Sequence, residues 1–129
     1  MIEVTLKSVI DNLDTFQTIS QKSEILPAVL AYKLTRILLQ LENEINIFHK
    51  AREQLLNKYC QKDNNGQFIT DEKGSILLQD GVEQNFNEEF NQLINTTIDL
   101  NVNKIKLNEL EPLQLSLQQM TALMPYIEE

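Results

Sequence analysis

Lys33 and Arg36 stand one turn apart on a stretch that reads as a helix. Lys50 and Arg52 lie further along it, with Tyr32, Phe48 and Tyr59 close by. A guanidinium and an ammonium that converge supply the charge-assisted donors a phosphate or nucleotide needs, and an aromatic ring can wall off a base. Lys33, Arg36, Lys50, Arg52 and Tyr32 are therefore the candidate anion or ligand set. Only an oligomer could bring two such sets together; in a lone chain the same residues make a solvated face.

Other residue types invite shorter arguments. In "KDNNGQFITDEKGSILLQDG", counting Gly66 as the sixth position of a calcium loop puts Gln61, Asp63 and Asn65 at the first, third and fifth, and Glu72 at the twelfth. The first ligand of such a loop is a carboxylate, and Gln61 brings no charge. Gly66 and Gly74 do not compose a phosphate loop, which needs a Gly-rich turn opening a helix with Lys behind it. The reading that uses every residue is a β-hairpin over 66–79: "NNG" ends the preceding helix in a left-handed turn, and "QFIT" and "SILL" pair across "DEKG".

His49 is the sole histidine, and without a second His or a Cys nearby it builds no zinc site. Cys60 is the sole cysteine, set among Leu55, Leu56 and Tyr59 at helical spacing, so it reads as a packed thiol. Glu42 with Glu44, and Glu88 with Glu89, diverge on a helix and form no carboxylate dyad. No nucleophile and base stand in a recognisable context. The chain reads as a non-enzyme with no catalytic residue, no metal and no cofactor.

These residues sit on an acidic, mainly helical frame. A net charge of −8 argues against direct nucleic-acid binding, which needs clustered Lys and Arg. A length of 129 residues reads as a single domain, 1–129. No signal peptide is legible and no apolar run is long enough for a membrane span, so the expected location is the cytoplasm.

Ile2, Val4 and Leu6 alternate as a short strand. Ser8 and Asp11 then resemble a capping box, with Val9, Leu13, Phe16 and Ser20 continuing a helix over 9–20. After the polar break "QKSE", Pro27 opens a long helix over 27–60. Its stripe, Leu30, Leu34, Ile37, Leu41, Ile45, Phe48, Ala51, Leu55 and Tyr59, steps by threes and fours over a length of roughly 50 Å. A third helix over 81–94 starts at Asp80 and Glu83 and shows Val82, Phe86, Phe90 and Leu93 on one face. The shorter helices cover less than the long one offers, and Val29, Leu38, Leu39, Ile47 and Leu56 lie off its stripe. That excess points to a homo-oligomer, with Leu30, Leu34, Ile37, Leu41 and Phe48 as its interface. A strand region over 97–107 with a break near Asn103, a linker, and a closing helix over 117–124 capped by Ser116 complete the chain. The fold class is α+β, mainly α: a long amphipathic helix with shorter packed helices, a β-hairpin and minor strands.

The ordered series "LPAVLAYKLTRILLQLENEINIFHKAREQLLNKY", "KDNNGQFITDEKGS", "FNEEFNQLIN" and "IKLNELEPLQLSLQQMTALMPYIEE" resembles a family of small uncharacterised proteins of bacteriophages and prophages. The resemblance implies work inside a bacterial host cytoplasm and transfers no site. The function expected is a non-enzymatic interaction protein bound to a host or phage protein, for instance an inhibitor of a defence factor. Two alternatives stay open: an oligomer that sequesters a nucleotide signal, and a small phage assembly or scaffold factor.

Overall fold

A computed structural model describes residues 2–21, 26–111 and 113–128. The break at "QKSE" lies largely outside them, as does Pro112. Contacts cluster into two compact units, Met1–Ile45 with Asn95–Glu129, and Asn46–Ile94. The long helix α2 (Ala28–Tyr59) supplies residues to both.

In the first unit, strand β1 (Ile2–Thr5) runs straight into helix α1 (Leu6–Gln21). The helix starts a turn earlier than the Ser8 box predicts, because the Thr5 hydroxyl accepts the Ser8 amide at 3.2 Å. The alternation of β1 is kept: Ile2 and Val4 are buried, Glu3 and Thr5 exposed. Strand β2 (Thr97–Leu100) pairs antiparallel with β1, Ile2 opposite Leu100 and Val4 opposite Ile98, so four apolar side chains share the inner face.

The break near Asn103 is a change of sheet rather than a bulge. Gln40 of α2 donates to the Asn101 carbonyl at 3.0 Å and accepts the Asn101 amide at 3.1 Å. One side-chain amide thus serves both backbone groups that a neighbouring strand would have paired, and the ladder stops. Strand β3 (Ile105–Lys106) then pairs in parallel with β4 (Ile127–Glu128), a strand the sequence reading did not contain. Between them come a 3-10 turn (Leu107–Leu110), helix α4 (Leu117–Leu123) and a second 3-10 turn (Met124–Tyr126). Helix α4 begins where expected: Ser116 accepts the Gln119 amide at 3.1 Å and the Gln119 side chain returns the bond at 3.0 Å. It packs on α1, and Tyr126 meets Phe16 edge-on with centroids 5.8 Å apart.

Leu30, Leu34, Ile37 and Leu41 form the buried stripe of α2 in this unit, none more than 2% exposed. Phe48 is likewise buried in the second unit. The five side chains expected at a subunit interface are therefore interior to the chain itself.

In the second unit α2 ends at Tyr59, and Cys60 already belongs to a sheet. Cys60 pairs with Leu78, Lys62 with Phe68, and Thr70 with Ile76, all antiparallel. Gln61 donates to Leu77, Leu77 to Ile69 and Ile69 to Gln61, at 2.9, 2.9 and 3.0 Å. Three short segments thus close a cycle: the expected hairpin of "QFIT" and "SILL" is present, and the segment after α2 pairs with both of its arms. Both corners use the same turn, Asp63–Gly66 and Asp71–Gly74, offset by eight residues, with Gly at φ +80° and +83°. So "NNG" is the tip of a first hairpin and not the end of α2. An eight-residue repeat, D-x-x-G followed by an apolar pair, was present in the letters and missed. Helix α3 (Glu83–Ile94) follows. Its Phe86 stacks on Phe90 at 6.0 Å and meets Tyr59 edge-on at 6.1 Å, while Phe90 leans on Phe48 at 6.4 Å.

Candidate functional site

Within the first unit, the two cations of the expected anion set are already engaged. Lys33 donates to Glu109 at 2.7 Å. Arg36 donates to the Asn101 carbonyl at 3.3 Å and to the Tyr32 hydroxyl at 3.4 Å, with its guanidinium carbon 5.8 Å from the Tyr32 ring centre. Both cations brace loops of their own chain. Lys33 also lines a polar hollow of about 550 Å³ with Lys104, Asn103 and Glu128, but its ammonium is already engaged. Lys50 and Arg52 are exposed and belong to the second unit, whereas Lys33 and Arg36 belong to the first. Phe48 and Tyr59, expected to wall a base, are packed against Phe90 and Phe86.

In the loop weighed for calcium, Asp63 acts as a turn residue. Asp63 spends one carboxylate oxygen on the amides of Asn65 and Gln67, at 2.9 and 3.0 Å. Among the described residues no group of three or more His, Cys, Asp or Glu stands where it could hold a metal. Cys60 is buried, and burial pushes its thiol up from the usual range, away from the reactive thiolate. His49 is exposed on α2, its ring 5.8 Å from that of Phe48.

What the structure does build lies in the first unit, at "LNELEPLQLSLQQMTALMPYIEE". In the 3-10 turn Leu107 and Leu110 recur after three residues and so lie one above the other. On α4 and the turn that continues it, Leu117, Met120 and Met124 follow i, i+3, i+7 and share a face, while Ala122, Leu123 and Tyr126 point into the core. The apolar residues of the closing helix, Leu117, Met120, Leu123 and Met124, do not share one environment. Leu123 is 0% exposed, Leu117 90% and Met124 63%.

Two hollows open beside that outward face. One, about 530 Å³, is lined by Leu107, Leu110, Leu113, Leu115 and Met120, with Asn108 and Glu111. The other, about 200 Å³, is lined by Leu107, Met120, Met124 and Ile127. They share Leu107 and Met120 and so form one trough. The 3-10 turn that supplies Leu107 and Leu110 is anchored, because Glu109 accepts the Lys106 amide at 2.9 Å with the same oxygen that takes Lys33. The Lys33 ammonium first, and the Lys106 amide second, hold the Glu109 carboxyl below the usual carboxylate range. From Leu107 to the end the chain has four Glu and no Lys or Arg. An open, mainly apolar trough of this kind is suited to binding.

Residues 2–113 match the family described as "Protein of unknown function (DUF1617)", and the chain belongs to that family. No curated protein and no solved structure matches it.

Proposed function

For a member of this family we propose a non-enzymatic interaction protein that seats a partner protein in the trough beside α4. The observation that carries the reading is the outward apolar set Leu107, Leu117 and Met124, 58%, 90% and 63% exposed, around adjoining apolar hollows. Large apolar side chains gathered on one face of a water-exposed helix are costly to hydrate, and such patches mark interaction sites. The ordered segments that resemble phage and prophage proteins support a place of action in a bacterial host. They also support a host or phage protein as partner, an inhibited defence factor among the possibilities.

Nucleotide sequestration loses its main support, since Lys33 and Arg36 are engaged by Glu109 and Asn101. Self-association stays within the proposal on different residues: Val29, Tyr32 and Leu39 of α2, 62%, 59% and 59% exposed in the first unit. The test is affinity capture from a strain carrying this gene, using the wild type and a Met120→Lys/Met124→Lys variant. The proposal expects a protein recovered near one-to-one with the wild type and lost with the variant. Equal recovery with both overturns it.

A further inference from the structure

Resting on that reading, we infer that the segment seated in the trough is a cationic amphipathic helix of the partner protein. The first argument is charge. The stretch after Lys106 carries four Glu and no Lys or Arg. Lys33 neutralises Glu109, which leaves Glu111 on the lining of hollows that no Lys or Arg lines among the described residues, whereas Glu128 lies in the polar hollow with Lys33 and Lys104. The whole chain adds a field of the same sign, at a net charge of −8. Exposed carboxylates contribute little affinity singly, but together they steer a basic partner and repel an acidic one.

The second argument is shape. A helix presents apolar anchors one turn, about 5.4 Å, apart. Two hollows that meet at Leu107 and Met120 can take two successive anchors of that kind. Met120 and Met124 suit the task, because unbranched thioether side chains repack around an incoming helix. An extended segment would instead need a sheet edge to extend, and β4 offers an edge of only two residues. An anionic lipid surface fits poorly, since Glu111 on the lining and the net charge of −8 repel its headgroups.

The inference is tested with a displayed library of helical peptides of about five turns. All carry Leu at i, i+3, i+4 and i+7, and their outward positions are randomised among Lys, Gln and Glu. The library is selected on the wild type and, in parallel, on Met120→Lys/Met124→Lys. The expected result is enrichment on the wild type alone, Lys outnumbering Glu several-fold, with that bias reduced by Glu111→Gln while selection persists. Enrichment that is charge-neutral or favours Glu, yet still needs Met120 and Met124, overturns the cationic partner and leaves the trough as a binding surface. No enrichment over the variant, or capture only of a fatty-acid probe in the trough, overturns the helix itself. Loss of the lysate capture described above bears on the function; the peptide bias bears on the partner's chemistry.

Discussion

Lys33 on α2 and Glu109 in the 3-10 turn, 76 residues apart in sequence, meet at 2.7 Å, and the same Glu109 oxygen holds the Lys106 amide at 2.9 Å. The turn that presents Leu107 and Leu110 to the trough is thereby tied to the long helix. Both side chains are largely shielded, 17% and 19% exposed, so this pair is screened less than a surface one.

The Glu109 carboxyl is held down by Lys33 first, so its folded pKa lies below the unfolded one. The stability it contributes is present above the ordinary carboxylate range and is lost as pH falls through the folded value. We expect wild-type melting temperature to drop on acidification more steeply than that of Glu109→Gln, followed by circular dichroism from about pH 7 to pH 3. Parallel curves would contradict the assignment.

Tyr126 behaves in the opposite sense. Burial raises its hydroxyl to about 12, so its contribution is complete below the ordinary tyrosine value. It is lost as pH rises from about 10 through the folded value. Tyr126→Phe keeps the edge-on contact with Phe16 and should remove that alkaline loss, read as melting temperature against pH in the alkaline range.

In the closed cycle, Gly74 has φ +83° and an added Cβ would meet nothing within 4 Å. Gly74→Ala should therefore cost only backbone strain, about 1 kcal/mol. Asp71→Ala removes the acceptor of the Lys73 and Ser75 amides, at 2.9 and 3.0 Å, and should cost about 1 kcal/mol as well. Urea unfolding checks both, and a neutral Asp71→Ala would show that the turn holds without its carboxylate.

Ile37 is fully buried and Leu39 is 59% exposed, two residues apart on α2. Ile37→Ala should cost about 2–5 kcal/mol by leaving a cavity, at any protein concentration. Leu39→Asp should leave single-chain stability within about 0.5 kcal/mol and lower the mass seen by light scattering where self-association runs through this face. An Ile37→Ala penalty that vanishes on dilution would return the interface to the buried stripe.

The long helix was legible because its stripe runs without Gly or Pro, and β1, β2 and the Ser116 cap because each is a local pattern. The closed cycle was not, since its last pair joins Cys60 to Leu78 across two turns and no local rule predicts it. Nor was the fate of the cations. The acceptors of Lys33 and Arg36 lie 76 and 65 residues away, and a free cation reads the same as a braced one. The trough was hidden for a related reason: Leu117 and Leu123 are the same letter on one short helix, yet one is 90% exposed and the other buried. Which side of an apolar helix faces water depends on what packs against it. The only trace in the letters was a Glu-bearing stretch after Lys106 without a single cation.

The central claim is that the partner seats beside α4. Methyl-labelled protein, titrated with the partner recovered by affinity capture, reports the contact directly by nuclear magnetic resonance. The account predicts shifts or broadening at Leu107, Leu110, Met120, Met124 and Ile127, with Val29 and Leu39 unmoved. Perturbation at Val29 and Leu39, or in the second unit, with the trough methyls unchanged, would contradict it.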